Sequence, residues 1–178
     1  QNKILIEAID TRDNLAQQKL TIECNPKKET AQDRPLDQIN DQLGASGTQG
    51  KYYALIIGVS DYIDPGISDL GEPINDAQKL FNILTTQYSF DAQNSSFLKN
   101  PSMEEVIVAL DWLEKNITPN DNVLIFYAGH GYWDKKVHRG YWFPSDAKRE
   151  NTANWVRNTT ITGYISGINS KHTLVIAD

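Results

Sequence analysis

Histidine is the side chain whose proton comes and goes near neutral pH, and His130 stands between Gly129 and Gly131, directly after the apolar run Val123-Leu-Ile-Phe126. Bare backbone on both sides lets a ligand approach closely, and amides there can turn toward an anion. That is the setting for a general base beside an oxyanion hole: the imidazole takes a proton from a thiol, and a neighbouring N–H stabilises the tetrahedral oxygen. Position alone leaves a second reading equally open, a histidine that merely ends a strand in a loop. Asp178 closes another apolar run, Thr173 to Ala177, and Asp76 opens a helical stretch. Their plain roles are a strand-end turn residue and a helix N-terminal acid complementing the macrodipole. His130, Asp134 and His138 are spaced by four, but the glycine, tryptophan and lysines between them make a loop, so no metal site is expected. His172 opens a strand and reads as structural.

These groups need a scaffold that brings strand ends together. Tyr52 to Val59 is a near-continuous apolar run, the mark of a strand buried on both faces. Asp76 to Thr86 places Ala77, Leu80, Phe81 and Leu84 at helical spacing, and Phe97-Leu98 is a short strand candidate. Ser102-Met-Glu-Glu105 is a capping box, followed by the helical stripe Val106, Ala109, Leu110, Leu113 and Ile117. Asn122 to Tyr127 predicts another buried strand, Ile161, Ile165 and Ile168 a short helix, and Thr173 to Ala177 a last strand. Alternating strands and helices imply an α/β fold with a mostly parallel sheet covered on both faces, whose ligands bind beyond the carboxyl ends of the strands. Both Gly129-His130-Gly131 and Asp178 stand at such ends. Tyr132, Trp133, Tyr141, Trp142, Phe143 and Trp155 cluster after the histidine, and core packing of a hairpin insertion is their expected role ahead of lining a cleft.

Residues 1–24 alternate in two stretches about the polar turn Asp10-Thr-Arg-Asp-Asn14, a β-hairpin pattern. A lone hairpin is marginal in water, so this one reads as the end of an immunoglobulin-like β-sandwich. Residues 25–50 are poor in apolar groups and predict a flexible linker, which leaves 51–178 as the main domain. A net charge of −6 gives no footprint for nucleic acid or an anionic membrane and favours a cationic substrate instead. No run is long enough for a membrane span. One cysteine, Cys24, excludes an internal disulfide and a multi-cysteine metal site.

Tyr127-Ala-Gly-His-Gly131 resembles the histidine motif of the caspase superfamily, and Leu174-Val-Ile-Ala-Asp178 resembles the strand that ends in its D-x-C nucleophile motif. Tyr53-Ala-Leu-Ile-Ile-Gly58, Ile74-Asn-Asp-Ala77 and Gly140-Tyr-Trp-Phe-Pro-Ser-Asp146 extend the likeness from Lys51 to Asp178. The resemblance implies the three-layer caspase-hemoglobinase (flavodoxin-like) fold and the larger part of a caspase-like cysteine endopeptidase, akin to bacterial metacaspases and paracaspases. It implies His130 as catalytic base, the Gly131 amide as oxyanion donor, and a nucleophilic cysteine two positions past Asp178, carried by a further segment or a second chain. Cys24 does not match that nucleophile. In the metacaspase and paracaspase branch the equivalents of Asp76 and Asp178 form an acidic pocket for the residue before the scissile bond, which implies cleavage after Arg or Lys of a protein or peptide. No cofactor is implied. Calcium activates some metacaspases, but no loop of recognisable calcium spacing is present. Lys27, Lys28, Arg34 and Lys51, in or beside the linker, are candidate self-processing sites.

Two further classes stay open on the sequence. The same fold without a nucleophile would hold a partner peptide as a non-catalytic module. A flavodoxin-like or receiver-type phosphate switch shares the strand–helix alternation, but the chain has no G-x-x-x-x-G-K-[ST] loop.

Overall fold

The early alternation closes as an antiparallel pair, β1 (Asn2–Ile9) against β2 (Leu15–Ile22), with Ile4 opposite Leu20. The computed structural model describes residues 2–9, 15–22 and 50–178, so the turn between these strands, Cys24 and the linker up to residue 49 lie outside the described residues. The immunoglobulin-like reading of the hairpin rests on its sequence alone. Hairpin and main domain are separate units.

In the main domain the unbroken apolar runs become central strands because both of their faces are covered. β3 (Tyr52–Gly58) leads to α1 (Pro73–Gln87), a short 3₁₀ turn at Ala92–Asn94, β4 (Ser95–Lys99), α2 (Met103–Asn116) and β5 (Asn122–Ala128). Then come β6 (Gly131–Asp134), β7 (Arg139–Trp142), β8 (Val156–Arg157), α3 (Asn158–Gly167) and β9 (His172–Ala177). The main sheet has the order β4-β3-β5-β9 and every pair in it is parallel. Strand pleating sorts the core. Leu55, Ile57 and Ile125 face Val106, Leu110 and Leu113 of α2 and Ile161 of α3, whereas Ala54, Ile56, Leu124 and Phe126 face Ala77, Leu80 and Leu84 of α1. Helices on opposite faces make three layers, as expected.

The chain leaves β3 toward β4 and returns past β3 to β5, so the connections diverge between β3 and β5 and open a crevice at the carboxyl ends of those strands. Three sequence boundaries shift. Helix α1 begins at Pro73 rather than Asp76, because proline suits the first helical turn. Strand β4 runs over five residues, with polar Ser95 and Ser96 tolerated at a sheet edge. Ile168 caps α3 from outside the helix, yet stays buried at 7% exposure. The capping box of α2 is present in both directions, Ser102 and Glu105 each satisfying the other's backbone N–H.

The opposite rim is pinned by Asp121, a buried carboxylate. Its Oδ1 accepts the Lys51 N–H at 2.7 Å, and its Oδ2 accepts the Thr118 N–H at 2.9 Å and the Thr118 hydroxyl at 2.7 Å. Burial opposes its ionisation, but these donors outweigh it and hold the carboxyl below its usual range. Asp121→Asn puts an NH₂ where donors already point. It is expected to lower unfolding free energy by about 2–3 kcal/mol at pH 7, read by urea denaturation. A carboxyl with a lowered folded-state pKa contributes its stability above the unfolded value near pH 4 and loses it as pH falls through the folded value. The gap between wild type and Asp121→Asn should therefore close in acid, below about pH 4.

Candidate active site

His130 emerges one residue after Gly129, at the carboxyl end of β5. Its neighbour strand β9 runs parallel, with Tyr127 opposite Ala177. Beyond the last paired residues the strands stay joined: Asp178 N–H donates to Tyr127 O at 2.9 Å and Gly129 N–H to Asp178 O at 3.4 Å. Val59 N–H reaches Ala128 O at 2.9 Å from the other side. His130 and Asp178 thus leave adjacent strands on one rim.

The histidine's backbone is gripped by two tyrosines. His130 N–H donates to Tyr62 Oη at 2.8 Å, and the Tyr127 hydroxyl lies 2.7 Å from His130 O and 3.0 Å from Phe143 O, its one proton shared between them. Burial raises both phenols, Tyr127 well above its usual range, so both remain O–H groups. A side chain at position 129 would meet this grip, since a Cβ there would lie 2.8 Å from Tyr127 Oη and 3.2 Å from Tyr62 Oη. Gly131 differs. Its added Cβ would meet only Tyr141 O, at 3.5 Å, so packing does not demand a glycine there.

The imidazole stands over Tyr62, with ring centroids 5.1 Å apart, and its Nε2 lies 2.8 Å from Ser68 O. A carbonyl only accepts, so Nε2 carries the proton and the neutral ring keeps its lone pair on Nδ1. The ring is half-buried and oriented, with Nδ1 as the atom able to take a proton.

Asp76 sits in the exposed first turn of α1, 3.0 Å from Lys79 Nζ, with its side chain 49% exposed. The start of α1 lies at the same rim. A Cβ on Gly58 would be 3.0 Å from Ala77 Cβ and from Pro73 O, and Ile74 N–H donates to Ser60 Oγ at 3.3 Å. Alternation along β9 assigns Asp178 to the face of Leu174 and Ile176, which pair with the α1-facing Leu124 and Phe126. Asp76 and Asp178 therefore lie at one rim. Asp178 lines a hollow of about 320 Å³ with Gly129, Gly131, Trp133, Trp142 and Asn158, and Asp76 is not among its walls.

His172 Nδ1 lies 3.0 Å from Asn122 Oδ1 at the far end of β9. His138 occupies a turn with φ 51°, and among the described residues no group of three His, Cys, Asp or Glu is placed to hold a metal. The aromatic cluster divides: Tyr141, Trp142 and Trp155 are buried, whereas Tyr132 and Trp133 are 46% and 53% exposed on the small antiparallel sheet β6-β7-β8. Sequence reasoning missed Tyr62, Tyr127 and Ser68 as partners of the histidine. A tyrosine three residues before His130 was a visible signal, whereas Ser68 acts through its carbonyl, which leaves no trace in side-chain chemistry.

The model of the caspase domain family, peptidase C14, matches residues 51–178. Metacaspase-1 of Saccharomyces cerevisiae is 34% identical over 90 residues, 46% of this chain and 20% of that protein. Metacaspase-1 of Candida glabrata is 36% identical over 98 residues, 51% of this chain and 24% of that protein. The chain therefore spans about a quarter or less of the length of these fungal relatives. Among solved structures, protein GSU0716 from Geobacter sulfurreducens superposes with a TM-score of 0.58 at 19% identity, covering 72% of this chain and 50% of that one, a likeness of fold. A parallel sheet with helices on both faces and a family match over the whole of that domain agree, and the chain belongs to the caspase-domain family of peptidases, C14.

Proposed function

We propose that this chain is the histidine-bearing part of a cysteine endopeptidase that cleaves protein chains after arginine or lysine. The observation that carries the reading is the side-by-side emergence of His130 and Asp178 from β5 and β9, with the imidazole held by Ser68 O so that Nδ1 is its basic atom. A cysteine two residues past Asp178 would rise from that rim next to the ring. Nδ1 takes the thiol proton, and the thiolate attacks the scissile carbonyl while the Gly131 N–H supports the oxyanion. The imidazolium returns the proton to the leaving amine, and water then releases the acyl group from sulfur with His130 again as base.

The preference for a cation rests on two carboxylates at one rim. Lys79 already pairs with Asp76, but an exposed ion pair of this kind is worth about 0–1 kcal/mol, so a substrate guanidinium displaces it at little cost. Fluorogenic peptides with Arg, Lys or Asp before the scissile bond, given to the full-length gene product, test the reading. Cleavage after Arg and Lys is expected to exceed that after Asp by at least about 100-fold in kcat/KM. Equal rates for Asp would overturn the specificity, and peptide binding without any turnover would make the domain a non-catalytic module.

A further inference from the structure

A second hollow, about 430 Å³, opens on His130 itself and is lined by Ile67, Tyr132, Phe143, Arg149 and Trp155. It is distinct from the hollow that holds Asp178, and Tyr132 is a wall of both. Its aromatic side is rigid: the Trp155 ring lies 4.4 Å from Phe143 and 5.3 Å from Tyr132, and Trp155 Nε1–H donates to Lys148 O at 2.7 Å.

Arg149 supplies the charge and is placed by the loop after β3. Asp64 accepts N–H groups from Gly66 at 2.8 Å and Arg149 at 3.1 Å, and Arg149 Nη1 donates to Gly66 O at 2.8 Å. Gly66 lets that side chain lie close, since a Cβ there would be 3.0 Å from Arg149 Cδ. The ion pairs of the described residues are Lys79–Asp76 and Lys115–Asp111, so no carboxylate contact neutralises the guanidinium. Asp64 is held as an anion first by the Gly66 and Arg149 amides, with Lys148 and Arg149 contributing less. Arg149 thus brings a cationic group to the wall of this hollow on a chain of net charge −6.

We infer that this hollow is the subsite for the residue following the scissile bond and that Arg149 makes it select an acidic side chain. The inference rests on the proposed endopeptidase reading. In that reaction the acyl half of the substrate lies toward the nucleophile and Asp178, and the leaving amine must receive its proton from His130. The chain beyond the scissile bond therefore crosses the imidazole, away from Asp178, and meets this hollow first. A glutamate or aspartate there lays its methylenes on Tyr132 and Phe143 and its carboxylate against the guanidinium.

Internally quenched peptides with Arg before the scissile bond and Glu, Gln or Lys after it, given to the full-length gene product, provide the test. Glu is expected to exceed Lys by about tenfold in kcat/KM, attraction on one side and repulsion on the other, and Arg149→Glu is expected to invert the order. A second measurement needs no turnover. A short peptide beginning with Glu, titrated into the same protein, is expected to shift the Trp155 indole N–H resonance, more weakly in Arg149→Glu and for the Lys counterpart. Equal cleavage of the three peptides, or an order unmoved by Arg149→Glu, overturns the subsite and leaves the peptidase reading standing. Arg149-dependent binding at Trp155 without cleavage does the reverse.

Discussion

His130→Ala is expected to lower kcat/KM for an Arg-containing peptide by about 10³–10⁴-fold in the full-length gene product, with the loss in kcat rather than KM. The size follows from what the ring would do twice in a turnover. It must take the thiol proton through Nδ1 and later give a proton to the leaving amine, and an alanine does neither. Its attachments make the loss separable from misfolding. The tyrosine grip holds the backbone N–H and C=O of residue 130, not its side chain, so alanine keeps both hydrogen bonds. The ring itself contributes its contact with Tyr62 and one bond to Ser68 O, about 1 kcal/mol of net stability. Thermal unfolding should therefore move by a few degrees at most while turnover disappears. Retention of more than about a tenth of the wild-type kcat/KM would remove His130 from the chemistry.

The sheet was legible because central parallel strands advertise themselves. Tyr52 to Val59 and Asn122 to Tyr127 are apolar without alternation, and only burial on both faces rewards that pattern. The small sheet was legible only as a hairpin. β8, Val156–Arg157, is too short to carry a period, and it joins β7 through Tyr141 opposite Arg157 and Trp142 opposite Val156, a long-range pairing without local signature. The aromatic residues followed the same divide. Trp155 found the core and Trp133 did not, because β6 is open on both faces: Tyr132 and Trp133 alternate along it and both are exposed, so neither side of that four-residue strand is covered. At the site, the histidine could be found from its glycines, whereas its orientation could not. Nε2 is committed to a backbone carbonyl of a loop 62 residues upstream. Any residue type offers that carbonyl, so sequence pattern is silent where tertiary structure sets the tautomer.

Asp178→Asn should abolish the distinction between arginine and its neutral isostere citrulline before the scissile bond. In the wild-type protein Arg is expected to be cleaved about 30–100-fold faster in kcat/KM, the gain of a partly desolvated charge pair over a neutral hydrogen bond. The carboxamide keeps the shape of the residue and its backbone contacts. Asp178 N–H to Tyr127 O and Gly129 N–H to Asp178 O are main-chain bonds that the substitution does not touch, so the rim and the neighbouring nucleophile keep their places. Citrulline cleavage is accordingly expected to stay within about threefold of wild type while Arg cleavage falls to meet it. Asp76→Asn should act in the same direction but by about tenfold or less, because that carboxylate is half exposed and already partnered by Lys79. A parallel fall in both substrates would mean that Asp178 serves the strand end rather than the substrate's charge. An unchanged Arg-to-citrulline ratio would place the cation elsewhere on the rim.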